Sequence, residues 1–296
     1  MLLGLHVASF SWKQEPARMG ETLADLAAAA EEIGASALSV MDHFFQLPNL
    51  GGPEEPMLEG YTTLGYVAGV TSTIHLHLMV GGVTYRYPGL VPKIVTTLDI
   101  VSRGRAGFGI GAAWHDREHH ALGVPFPSIS ERFERLEEAL QIALQTWSEN
   151  DGPYEGKHYR LAETIDVPGP VQKPHPPIMV GGGGEKKTLR LVARYADACN
   201  LATGPFTGVG AEGIAHKLRV LAEHCRAEGR DYDRIEKTIM YLGGPPATGE
   251  AKAAFVEEMR AYADLGVDRV MVIPLGTDPA GYVRRLESVV AGIADL

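Results

Sequence analysis

MVGGGGEKKTLRLVARYADACN, residues 179–200, decides the fold. An apolar run enters four consecutive glycines, Gly181, Gly182, Gly183 and Gly184, a helical pattern opens near Glu185, and a second apolar run, ACNLA, follows at 198–202. Strand, loop, helix, strand is a βα unit, and a crossover helix makes its two strands parallel. The same rhythm extends to both ends of the chain. Short apolar runs at 2–7, 37–41, 75–80, 106–110, 177–181, 198–202, 238–242 and 269–273 predict eight strands. Between them lie patterns of helical spacing, such as Leu23, Leu26, Ala27 and Ala30 or Leu136, Ala139, Leu140 and Ala143. Gly34 and Gly266 stand where C-terminal helix caps belong. Eight such units without a low-complexity linker predict a (β/α)8 TIM barrel with right-handed crossovers and an open doubly wound sheet as the alternative. A length of 296 residues suits one barrel, so 1–296 is read as a single domain.

The bulk properties exclude several function classes. A formal net charge of -10, with no local Lys/Arg cluster, opposes nucleic-acid binding. Cys199 and Cys225 are the only cysteines, too few for a disulfide framework and outside any metal-ligand spacing. The opening MLLGLHVASFSW lacks a basic stretch followed by a long apolar one, and no run approaches the roughly 20 apolar residues of a membrane span. The expectation is a cytoplasmic protein without membrane or nucleic-acid partners, acting on a small molecule.

Three segments break the rhythm. Residues 43–60 and 112–130 each follow a predicted strand and are rich in Gly, Pro, His and aromatic residues, as loops on the C-terminal face of a barrel would be. Residues 150–176 form an insertion before the fifth strand, expected to fold over the barrel or its edge as a lid or pocket wall.

The candidate chemistry sits at strand ends. Asp42 and His43 follow the second strand; His43 is suited to donate a hydrogen bond or act as acid or base, although the pair could equally cap the strand end. Gly81 and Gly82 after the third strand allow close approach of a flat ligand, or a plain turn. After the fourth, Gly109, Gly111, Ala112 and Ala113 leave room for a planar ring, with Trp114 to stack on it, unless small residues there serve packing alone. Gly181 to Gly184, running into a helix, offer unblocked N–H groups to a phosphate, with Lys186 and Lys187 adding positive charge, though the sequence is neither G-x-G-x-x-G nor a P-loop. His115 and His119 are spaced i, i+4, but H-E-x-x-H is absent and no third ligand presents itself, so no metal is expected.

Together, SVMDHFF at 39–45, the stretch YRYPGLVPKIVTTLDIVSRGRAGFGIGAAWHDREHHALGVPF at 85–126, ERFERLEEAL at 131–140 and the glycine loop with its helix resemble the luciferase-like monooxygenase superfamily, in its branch of coenzyme F420-dependent oxidoreductases. The matching stretches cover most of 37–202. The resemblance implies that His43 is catalytic, beside the redox-active ring, and that Asp42 helps to anchor that ring. It implies that Met79, Val80 and Gly81 form a bulge against the ring through a non-prolyl cis peptide, and that Gly181 to Gly184 with Glu185 hold the cofactor phosphate. The cofactor implied is F420, with FMN and monooxygenase chemistry as the alternative on the same fold and a non-catalytic binding protein as a third reading. Sugar-phosphate dehydrogenases of the superfamily carry an acid at the fourth strand end, where Trp114 stands here. That departure, with Phe10, Trp12 and Tyr85 as further aromatic candidates for the substrate pocket, points to a rather apolar substrate. Relatives often form homodimers, but no exposed stripe in the sequence argues for one here.

Overall fold

A computed structural model describes residues 1–245 and 249–296. Its sheet runs in the order β3-β2-β1-β11-β10-β9-β8-β5-β4. The strands are β1 (Leu2–Val7), β2 (Ala37–Val40), β3 (His75–Leu78), β4 (Gly81–Gly82), β5 (Phe108–Gly111), β8 (Ile178–Gly181), β9 (Ala198–Thr203), β10 (Glu236–Tyr241) and β11 (Arg269–Val272), while β6 (Tyr154–Glu155) and β7 (Arg160–Leu161) form a separate hairpin. Every pairing in the large sheet is parallel. A parallel bridge between Leu76 and Ala106 joins β3 to the chain entering β5 and closes the ring. The expected third strand at 75–80 is interrupted: the Met79–Val80 peptide is cis, as the resemblance implied, and β4 resumes the same stave beyond it. The result is an eight-staved barrel.

Strand alternation sorts side chains into two cores. Leu3, Leu5 and Val7 of β1 face outward into the large core shared with the helices, which include α1 (Met19–Glu32), α2 (Gly60–Val70), α3 (Val91–Val101), α4 (Asp116–Leu122) and α5 (Ile129–Thr146). The ring continues with α6 (Thr188–Tyr195), α7 (Ala211–Glu228), α8 (Gly249–Ala263), α9 (Pro279–Arg284) and α10 (Glu287–Ala294). Leu23, Leu26, Ala27 and Ala30 of α1 and Leu136, Ala139, Leu140 and Ala143 of α5 are buried there, as their spacing predicts. Gly34 and Gly266, at φ 73° and 82°, end their helices in the left-handed conformation that favours glycine.

Inside the barrel, Met79, Met179, Met240 and Met271 pack with Ala37 and Ala198. Long unbranched side chains meet very small ones: a Cβ on Gly4 would lie 2.4 Å from Met271 Sδ. One level is polar. His6, Ser39 and His77 are register neighbours on β1, β2 and β3, and all three are buried.

The insertion at 150–176 is not a lid. A segment that leads from a helix into a strand arrives at the N-terminal end of the barrel, and here it is fastened along the outside of α3 and α5. Lys93 and Thr96 bind Asp166, Asp99 accepts from the N–H groups of Val171 and Gln172, and Glu138 accepts from those of Lys157, His158 and Tyr159. Among the described residues no helix is long and apolar enough to cross a membrane.

Candidate active site

The loops at the C-terminal ends of the staves enclose a cavity of about 560 Å³. It gathers Asp42, His43, Met79, Val80, Gly81, Tyr85, Gly111, Ala112, Ala113, Trp114 and Gly181 to Gly184 into one lining. Sequence positions far apart converge because each stave delivers its loop to the same face.

His43 leaves β2 and is held by a residue that the sequence reading passed over. Glu118 of α4 is fully buried, and its Oε2 lies 3.0 Å from His43 Nδ1. Oε2 also accepts from the Tyr85 hydroxyl, and Oε1 accepts from the backbone N–H groups of Phe44 and, at 2.6 Å, Phe45. Burial alone would raise the carboxyl pKa, but the donors, led by His43 and Tyr85, outweigh it and hold it at about 2. An ionised carboxylate only accepts, so His43 Nδ1 carries a proton towards Glu118 and Nε2 is the ring nitrogen left free of it. Trp114, 62% exposed at the mouth, stands edge-on to the His43 ring at 5.7 Å.

Asp42 lines the rim, but its carboxylate is already engaged. Arg86 grips it with two bonds of 2.8 and 2.9 Å, and the N–H of Gly82 donates to Oδ2. Arg86 reaches Glu59 as well and lies over the Tyr61 ring. Asp42 therefore fixes β4 and the Tyr85 turn rather than offering a free acceptor.

The adjoining wall is shaped by Val80. A Cβ on Gly111 would come within 2.9 Å of Val80, one on Gly181 within 2.8 Å, and one on Gly109 within 1.9 Å of the Leu78 carbonyl oxygen. The first requirement for these glycines is thus the bulged stave itself, and the flat wall beside it follows. Ala113 completes the wall in a left-handed conformation at φ 57°.

The glycine loop after β8 borders the cavity, with Thr188 at its far side. Helix α6 opens at Thr188, three residues later than expected, because a turn occupies 185–187. The expected cations are displaced: Lys186 is exposed and Lys187 lies over Phe133, 3.4 Å from Ser130 Oγ. Lys217 of α7 meets the loop instead, donating to the Gly183 carbonyl at 2.8 Å. Glu185 does not line the cavity. Its carboxylate lies 3.3 Å from His216 Nε2 and 3.5 Å from Lys217 Nζ.

Phe10 and Trp12 also lie elsewhere. Both are buried in the outer core, packed edge-to-face at 5.4 Å, because the chain after Ala8 turns away from the mouth. Tyr85 lines the cavity with its hydroxyl committed to Glu118. His119 has both ring nitrogens occupied, by the His115 carbonyl and the Thr84 hydroxyl, which leaves none for a metal. The structure adds His6, Ala8, Met41, Leu47, Leu50, Asn200, Met240, Leu242 and Ile273 to the lining.

The barrel matches solved structures over nearly its whole length. An F420-dependent secondary alcohol dehydrogenase in complex with an F420-acetone adduct superposes with TM-score 0.78 at 17% identity, covering 99% of this chain and 98% of that one. A monooxygenase from Streptomyces bottropensis does so with TM-score 0.74 at 19% identity, covering 97% and 98%. At these identities the likeness concerns the fold. In sequence, the chain is 34% identical over 218 residues to an F420-dependent glucose-6-phosphate dehydrogenase of Kineococcus radiotolerans (strain ATCC BAA-149 / DSM 14245 / SRS30216), a match covering 73% of this chain and 62% of that relative. The family model described as luciferase-like monooxygenase matches residues 6–282, which take in the end of β1, the other seven staves and every loop of the site. The chain belongs to the luciferase-like monooxygenase family.

Proposed function

We propose that the protein is an oxidoreductase that holds the deazaflavin coenzyme F420 in this cavity and exchanges hydride between it and a small, unphosphorylated, rather apolar substrate. The observation that carries the reading is the meeting, around one cavity, of the Glu118-locked His43, the smooth Val80–Gly111–Gly181 wall and the Gly183–Lys217 corner. The residues present fit such a cofactor: glycines border the wall where side chains would project, and Lys217 supplies a cation beside the glycine loop. When bound, the deazaflavin supplies the carbon that gives or takes hydride. His43 Nε2 faces the space where a substrate hydroxyl or carbonyl would stand, ready to take or return its proton, while Glu118 stabilises the charged imidazole.

The lining favours an apolar substrate. Met41, Leu47, Leu50, Met240, Leu242 and Ile273 face the cavity, and no Lys or Arg lies among its described lining residues. A sugar phosphate would find no Lys or Arg on that side, so the substrate named for the Kineococcus relative suits this pocket poorly.

Titration of purified protein with F420 and with FMN, followed by calorimetry, tests the reading. Saturable binding of F420 in preference to FMN is expected. Preference for FMN would move the protein to the monooxygenase reading, for which the Streptomyces likeness stands.

A further inference from the structure

His6 is the one imidazole on the barrel floor that also borders the cavity. Its place is set by β1, whose alternate residues Gly4 and His6 turn inward while Leu3, Leu5 and Val7 turn out. Its Nδ1 lies 2.9 Å from Ser39 Oγ, and Ser39 gives its own hydroxyl proton to the Leu5 carbonyl at 3.3 Å. A hydroxyl has one proton to give, and with that proton on the Leu5 carbonyl the first contact takes its proton from His6. The Nδ1–H tautomer follows, with Nε2 a bare acceptor. Nothing among the described residues bonds to Nε2. Burial, reinforced by the neighbouring His43, pushes the ring pKa down to about 3, so it stays neutral at ordinary pH.

The position of β1 says which occupant this acceptor serves. In the barrel order β1 stands four staves from β8, directly across the ring from the glycine loop at the Gly181 end of the smooth wall, and next to β2, which leads into His43. The cofactor space proposed above lies against that wall, and the His6 side is left for the substrate.

We infer that His6 is a specificity-determining residue whose Nε2 accepts a hydrogen bond from a second donor on the substrate, an O–H or N–H close to the group that reacts at His43. The proton at the reacting group goes to His43, so the donor read by His6 is a different one. The substrate class is therefore a mostly apolar carbinol carrying a neighbouring hydroxyl or amide N–H, and this inference rests on the reading under Proposed function.

The test uses the intact protein with 15N-labelled histidine. The His6 ring signals, assigned by their loss in His6→Asn, are expected in the Nδ1–H form and unchanged between about pH 5 and about pH 8. A titrating ring, or the Nε2–H form, overturns the inference without any reference to cofactor. Trans-1,2-cyclohexanediol and 2-methoxycyclohexanol are then added to the protein; they differ in one donor and little in shape. The diol is expected to move the His6 Nε2 signal and to bind about tenfold more tightly, with the preference lost in His6→Asn and in His6→Leu. Equal affinity, or no response to either compound, overturns it, as does movement of the Nε2 signal on adding F420 alone. Failure of F420 to bind is read separately by calorimetry and removes the proposed reaction, while the tautomer result stands by itself.

Discussion

Glu118 Oε2 sits 3.0 Å from His43 Nδ1, although one residue lies on the short helix α4 that follows β5 and the other in the loop after β2. The same carboxylate ties down Phe44, Phe45 and Tyr85, so it positions a whole loop as well as one ring. Glu118→Gln has one acceptor oxygen where four donors need serving. We expect turnover to fall on the order of 10²-fold or more, with F420 affinity nearly unchanged. A loss of about 1–3 kcal/mol in urea-unfolding stability should accompany it. Because the folded carboxyl is held near 2 against an ordinary 4.5, its contribution is present above 4.5 and disappears as pH falls through about 2. Unchanged turnover in the variant would remove Glu118 from the positioning role.

His6 and His77 give a pH effect at a higher window. Both rings are buried neutral, with pKa values pushed down by burial to about 3 from 6.5. Below 6.5 the unfolded chain binds protons that the folded chain refuses, so stability is full above that value and declines as pH falls towards 3. Each histidine should cost up to about 2 kcal/mol on going from pH 7 to pH 5. Urea midpoints across that range check this, and His77→Asn should flatten the decline. A steeper decline in the variant would contradict the assignment.

Val80 and Gly181 form a matched pair, since a Cβ on Gly181 would lie 2.8 Å from both Val80 methyls. Gly181→Ala alone is expected to destabilise the barrel by about 1–3 kcal/mol and to disturb cofactor binding. Val80→Ala in the same chain should restore most of the stability, giving a coupling of roughly 1 kcal/mol or more in a double-mutant cycle. Simple additivity would show that the clash is relieved elsewhere.

Lys217 and Lys186 separate geometry from composition. Lys217 Nζ is 2.8 Å from the Gly183 carbonyl, whereas Lys186 is exposed. Lys217→Ala should weaken F420 binding about tenfold and reduce its salt dependence, with Lys186→Ala within about twofold of wild type. Calorimetric titrations at two ionic strengths decide between them. Equal effects would return the anion site to the charges that precede α6.

The barrel and its converging strand ends were legible because period-2 and period-3.6 patterns repeat eight times and leave little room for another fold. His43, the Met79–Gly81 bulge and the glycine loop were legible as local strings. Glu118 was not: in DREHH it reads as one more charge on a short helix, and only its partners 73 to 75 residues away reveal it. Lys217 and His6 were invisible for the same reason, their neighbours being set by the closing of the ring. Phe10, Trp12 and Glu185 misled in the opposite sense. Each has the right residue type near the right strand end, but the direction of a side chain after a strand ends is not encoded in period.

The thioether floor has an evolutionary consequence. Met240 borders the cavity and belongs to an inner core in which flexible sulfur-containing chains pack against alanines, with the smooth wall and His43 carried on other staves. Trading one such chain for a shorter or longer one alters the depth of the chamber while the reactive end is left in place. Descendants of this barrel can change diet by single substitutions at its base, without rebuilding the machinery at its rim.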